Sequence, residues 1–244
     1  MAGKQIVALW GSPGSGTTLT AVKIARELAS RRKSVMLVLG DSETPSVPLL
    51  LPQTDAGKSL GHLLSLPSVS QTDLFRHCVP VGTSLSLMGY MYGENEKTWP
   101  EYSEQRAKEF LDILRDSADY AVIDCPHHLL SSILTAVALE QAGRVLRVVN
   151  ADIKSVVFVK SQRPFLAESR FRWGDHVSVI NNVLPFQDVR TYEETFGGKA
   201  YTLPHLSALQ RQYDEYRLLE PMAGKEGKLY ETVIRKIIEK EIVE

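Results

Sequence analysis

Three glycines and two threonines near the start of the chain are the residues whose types and spacing can do chemistry. In IVALWGSPGSGTTLT, Ile6 to Thr20, an apolar run meets a glycine-rich turn and then a helical pattern. Gly11, Gly14 and Gly16 let backbone N–H groups converge without Cβ obstruction, and a helix starting there adds the positive end of its dipole. The product is a cradle for phosphate built from the backbone of Gly11, Ser12, Pro13, Gly14, Ser15, Gly16, Thr17 and Thr18. The spacing fits the frame G-x-x-x-x-G-K-[ST] except at Thr17, which stands where lysine belongs. The Thr18 hydroxyl remains for a metal ion, but the point charge that draws out the outer phosphates is gone. The competing reading is an ordinary glycine-rich turn between strand and helix. The dinucleotide frame G-x-G-x-x-G cannot be placed on Trp10 to Thr20.

Two aspartates follow apolar runs and so stand at the C-terminal ends of strands. Asp41 follows VMLVLG, and Asp124 ends DYAVID. In an open α/β sheet that edge is where ligands bind. Asp41 is there a metal or water-positioning group, the one candidate catalytic residue, or else a loop aspartate capping its turn. Asp124 beside a phosphate loop is a magnesium ligand acting through water, or a capping residue. Asn181 and Asn182 close VSVINN at the same edge, where amides either read a purine or cap the turn. His127 and His128 are adjacent and point differently, which is poor geometry for two ligands on one metal, so they read as loop residues.

The elements that must position these groups alternate along the chain. After the loop, Leu19, Val22, Ala25, Leu28 and Ala29 recur at helical spacing, and VMLVL reads as a parallel strand covered on both faces. Ser42 to Gln53 holds three prolines and no period, and reads as a loop. Lys58 to Ser65 and Gln71 to His77 read as short helices, Val79–Val81 and Leu85–Met88 as a short strand pair. The aromatics Tyr90, Tyr92, Trp99 and Tyr102 form either a partner surface or local packing over the sheet edge. Ser103 opens a helix before the Asp124 strand. Helix 133–141, strand 144–150, helix 152–167, strand 177–180 and strand 201–203 complete an open, mostly parallel α/β sheet of one domain over 1–244. The C-terminal stripe of Leu229, Tyr230, Val233, Ile234, Ile237, Ile238 and Ile242 is carried by mixed charges, which favours packing on the domain over a membrane surface.

With 43% hydrophobic and 23% charged residues over 244, the composition is that of a soluble globular protein. The net charge of -1 provides no global field for nucleic acid. Cys78 and Cys125 are too few for a disulfide framework or a zinc site, which suits a reducing cytoplasm. No apolar run approaches a membrane span, so membrane association is at most peripheral.

The order of GSPGSGTT, VMLVLGD, DYAVIDCP, VSVINN and YTLPHLSAL resembles the ParA/MinD family of deviant phosphate-loop ATPases over nearly the whole chain. The resemblance implies a seven-to-eight-stranded sheet between helices, ATP and Mg²⁺ as cofactors, and a nucleotide-sandwich homodimer acting as a positional switch. It sets Ser12 at the lysine that reaches across the dimer and Thr17 at the general lysine, so both lysines are missing and the chain is at most a slow ATPase. It sets Asp41 at the first switch acid, Asp124 at the Walker B acid, Asn181 or Asn182 at the adenine-reading amide, and Pro204 near the base. The resemblance also implies that the loop Val149 to Lys154 faces the dimer partner, which makes Lys154 a candidate donor to the opposite subunit's phosphate. Lys58 is the alternative within its own subunit. Among relatives with altered loops the chain looks most like TadZ-type proteins, which mark a position for pilus or secretion systems and do not segregate DNA. The alternative is a scaffold that no longer binds nucleotide and docks protein partners.

Overall fold

A computed structural model describes residues 5–52, 57–129, 131–197 and 199–243. Among them eight strands form one sheet. They are β1 (Gln5–Gly11), β2 (Val35–Leu39), β3 (Val79–Val81), β4 (Leu85–Gly89), β5 (Tyr120–Asp124), β6 (Arg144–Asn150), β7 (Val177–Val183) and β8 (Ala200–Pro204). The order is β3-β4-β2-β5-β1-β6-β7-β8, parallel throughout except that β3 runs against β4. The expected architecture is therefore present. β1 lies between β5 and β6, so the chain turns to opposite sides of it, and the crevice at its C-terminal end is where open α/β sheets bind ligands.

The central strands read as continuous apolar runs because both faces are covered. Along β1, Val7 and Leu9 face one layer while Ile6, Ala8 and Trp10 face the other. The first layer holds α1 (Thr17–Ser30), α2 (Val47–Leu50), α9 (Ser207–Asp214) and α10 (Gly224–Ile237). The second holds α3 (Leu60–Ser65), α4 (Gln71–His77), α5 (Glu104–Ser117) and α6 (Ile133–Gln141). The helices α7 (Ile153–Gln162) and α8 (Arg190–Phe196) cover the end of the sheet near β7. Ser103 caps α5 by accepting from Arg106 N at 3.2 Å. The Phe110, Leu111 and Leu114 side chains of that helix are wholly buried, each contributing about 1.5–3 kcal/mol.

Several boundaries differ from the sequence reading. Within the expected loop 42–53, α2 forms one helical turn. Pro48 lies in its first turn, where a missing N–H costs nothing, and Val47 and Leu50 are buried. Gln53 lies outside the described residues. The helix expected to run to Ala167 stops at Gln162: Arg163 still has helical backbone, but Pro164 has no N–H to extend the hydrogen-bond ladder, and a 3₁₀ turn Phe165–Ala167 follows. β4 pairs with β2 as well as β3, so it belongs to the main sheet.

The C-terminal helix packs on α1 and β8, with Tyr230, Ile234 and Ile237 buried. Leu229, expected on that stripe, is 60% exposed. Among the described residues no helix is long and apolar enough to cross a membrane. Of the four aromatics, Tyr90 is buried and Trp99 stacks on His62 with ring centroids 4.8 Å apart, whereas Tyr92 is 91% exposed.

Candidate functional site

The turn after β1 is held by backbone contacts that only glycine permits. A Cβ on Gly11 would run into the Val148 carbonyl, which itself accepts from Ser12 N at 3.1 Å. Gly14 and Gly16 have φ of 74° and 81°, the left-handed region that side chains disfavour. Gly16 caps α1 without any side-chain cap, so the N–H groups of the first helical turn have no intrahelical acceptor and face outward as anion donors.

The carbonyls of the loop are held from beneath by the ends of β6 and β7. Asn181 Nδ2 donates to Ser15 O at 2.7 Å, and Asn150 Nδ2 to Gly14 O at 3.4 Å. Asn182 Nδ2 reaches Asn150 Oδ1 at 3.0 Å, with Asn182 itself at φ 54°. Asn181 is 1% exposed, so its side chain fastens the loop. Ser12 is turned inward, 2% exposed, its Oγ 2.8 Å from Ser155 Oγ. Ser155 in turn accepts from Asn150 N at 3.0 Å. Thr17 stays half-buried at the mouth, 3.2 Å from Ser15 Oγ.

Thr18 and Asp124 meet at the head of α1. The Thr18 hydroxyl donates to Asp124 Oδ2 at 2.7 Å. Burial pushes the Asp124 carboxyl up to about 7, with the Thr18 hydrogen bond opposing and the Asp41 charge adding to the rise. Asp41 uses Oδ1 to accept from Glu43 N at 2.8 Å and Thr44 N at 3.0 Å. It caps its turn and also lines the cavity of about 280 Å³ that the loop encloses with Asp124. A second cavity of about 410 Å³ adjoins this one and shares Asp41 and Pro126 with it.

Two carboxylates and a hydroxyl form a hard oxygen set suited to Mg²⁺, which takes few protein ligands and fills its shell with phosphate and water. Desolvation and mutual repulsion of the two acids are what a divalent cation would relieve. Among the described residues no cluster of three or more His, Cys, Asp or Glu side chains is arranged to hold a metal by itself.

The remaining sequence candidates lie at the margin. Lys154 is exposed in the first turn of α7 and does not line the cavity, although its charge is felt at His127. Lys58 Nζ donates to Cys78 O at 3.3 Å and does not line the cavity. Pro204 ends β8 opposite Val183. Besides Leu19, Cys125 and Pro126, which adjoin predicted site residues in the chain, the lining includes His127 and, from α9, Gln210 and Tyr213, none of which the sequence reading placed at the site. For the latter two the sequence holds no signal; the histidine pair was visible but its direction was not.

No protein-family model matches the chain, and no curated protein matches it. Solved structures do. A ParA family ATPase from Chlorobium tepidum TLS superposes with a TM-score of 0.77 at 14% identity, covering 96% of this chain and 98% of that one. The fold is that of the ParA and MinD ATPases. The septum site-determining protein MinD of Pyrococcus horikoshii OT3, complexed with Mg-ADP, gives 0.74 at 14% identity over 97% of this chain and 96% of that one. A plasmid partition protein of Borrelia burgdorferi B31 bound to AMPPNP gives 0.73 at 17% identity over 97% and 98%. With this ParA/MinD-like fold, the Gly11 to Thr18 loop follows the first of the parallel strands at the centre of the sheet.

Proposed function

We propose that this chain is an ATP–Mg²⁺-binding switch of the ParA/MinD type, working as a homodimer with slow or absent hydrolysis. The observation that carries the reading is the Thr18–Asp124 hydrogen bond beneath a loop whose outward N–H groups are free for phosphate. In this reading the backbone of Gly11 to Thr18 holds the phosphates. Thr18, Asp124 and Asp41 hold the metal, which neutralises phosphate charge. Asn182, at the rim, and Pro204 stand toward the base, while Asn181 supports the loop from below. Lys154 donates to the opposite subunit across the dimer.

Without a lysine at Thr17 or Ser12, the charge on the outer phosphates in the transition state is poorly stabilised, so turnover is slow. Such a protein marks a position and binds a protein partner, as a TadZ-type chain of a pilus or secretion system would, in the cytoplasm and without specific DNA binding. Calorimetric titration with ATP, with and without Mg²⁺, and light scattering of the liganded protein test the reading. Micromolar Mg²⁺-dependent binding with dimerisation supports it.

A second reading has its own observation. Ser12 is buried on Ser155, so this position has been absorbed into the support of the loop, as expected of a nucleotide-free scaffold. Protein that takes up no ATP and stays monomeric at millimolar nucleotide would favour that scaffold.

A further inference from the structure

The phosphate cavity has no lysine or arginine in its described lining, and the one ionisable nitrogen there belongs to an imidazole that burial and a neighbouring histidine hold toward its neutral form. Among the described residues that line it there is no lysine or arginine, whereas Asp41 and Asp124 both face it. The remaining ionisable nitrogen is on His127. This imidazole is not loose. Its centroid is 3.7 Å from that of His128, and the Phe158 ring of α7 lies on another side at 6.4 Å. His128 is itself anchored, Nε2 to Glu43 Oε2 at 2.9 Å, which ties the segment after β5 to the turn after β2. No hydrogen bond among the described residues occupies a ring nitrogen of His127, so an N–H remains for a ligand. The two lysines that might compete are elsewhere: Lys58 is committed to the Cys78 carbonyl, and Lys154 stands outside the cavity.

We infer that His127 contacts the outer phosphates of the bound nucleotide and takes over, within its own subunit, the donor role that lysine has in the common form of the loop. The inference rests on the nucleotide-binding reading above and deepens it. An imidazole N–H donates whether the ring is neutral or charged, and hydrogen bonds to a charged acceptor contribute about 1.5–3 kcal/mol. The contact reaches only the phosphates beyond the first, so its loss should discriminate between nucleotides by chain length.

The test is calorimetric titration of the full chain with ATP, ADP and AMP, for wild type, His127→Phe, His127→Ala and His127→Lys, with melting temperatures measured alongside. His127 is half-buried on a loop, so the variants should melt close to wild type, and His127→Phe, which keeps a ring beside His128 and Phe158 but has no N–H, serves if the alanine variant does not fold. The expected result is a loss of at least about tenfold in ATP affinity for His127→Ala and His127→Phe, an AMP affinity unchanged within about twofold, and ATP affinity restored in His127→Lys. Equal ATP affinity in wild type and His127→Phe, or equal losses for ATP and AMP, overturns the role of His127 and leaves nucleotide binding standing. Failure of wild type to bind any of the three overturns both.

Discussion

The Thr18 hydroxyl donates to Oδ2 of Asp124 at 2.7 Å, tying the first turn of α1 to the end of β5 through the two groups that suit a magnesium ion. Thr18→Val removes the donor and leaves a 3% exposed carboxyl without it, at a cost of about 1–3 kcal/mol in stability. Asp124→Asn keeps the volume and an acceptor for Thr18. Both variants should lose the Mg²⁺-dependent part of ATP affinity, compared by calorimetry with Mg²⁺ and with chelator. Unchanged Mg²⁺-dependent binding in both would refute the assignment.

Asp124 also sets a pH dependence. Its folded value, about 7, lies above its ordinary 3.8. A carboxyl raised in this way contributes stability that is fully present below 3.8 and lost as pH rises through 7. Asp124→Asn cannot ionise, so its urea midpoint relative to wild type should be higher at pH 8 than at pH 5. Mg²⁺ must displace the same proton, and Mg²⁺-dependent affinity should climb roughly tenfold per pH unit up to about 7 and then level off. A flat profile between pH 5.5 and 7 would contradict this.

The two positions that lack lysine should respond differently to having it restored. Thr17 is half-buried at the mouth of the cavity, whereas Ser12 is buried against Ser155. Thr17→Lys should tighten ATP binding by about ten- to hundredfold, the worth of a charge-assisted hydrogen bond, and raise phosphate release by ~10²–10³. Ser12→Lys must first expel a side chain from the Ser155 contact and should lower the melting temperature. A gain in affinity from Ser12→Lys with no loss of stability would contradict the buried geometry.

Among the glycines, cost follows what a Cβ would meet. Gly14 opens onto free space, so Gly14→Ala should cost only the left-handed backbone penalty of about 1–2 kcal/mol. At Gly16 the same penalty is joined by collision with Asn181 Nδ2 at 2.5 Å, which breaks the bond that holds Ser15. Gly11→Ala meets the Val148 backbone, which cannot yield without separating β1 from β6, and should unfold or severely destabilise the chain. Chemical denaturation should rank the losses as Gly14, Gly16, Gly11.

A net charge of -1 leaves little phosphate neutralisation to drive nucleic-acid binding. No shift of duplex DNA is expected at physiological salt below micromolar protein, with or without ATP. A sub-micromolar, salt-sensitive complex would overturn this.

The amino-acid sequence by itself determined what depends on neighbours along the chain. The glycine spacing marks the turn between β1 and α1 because φ above zero is a property of single residues, as at Gly14 and Gly16. The runs at β2 and β5 are strands because wholly apolar stretches need cover on both faces, and an acid closing such a run, as Asp41 and Asp124 do, must come to the ligand edge. Only the tertiary structure decided which way the remaining groups point. Ser12 faces Ser155 across 143 residues of chain, because Gly11 brings β1 so close to β6. Asn181 fastens Ser15 from 166 residues away, and α9 carries Gln210 and Tyr213 to the cavity from beyond the last strand. His127 gained its place from the rings of His128 and Phe158 and from the Glu43 anchor. No local pattern encodes contacts of that range, since they follow from packing two layers of helices onto one sheet.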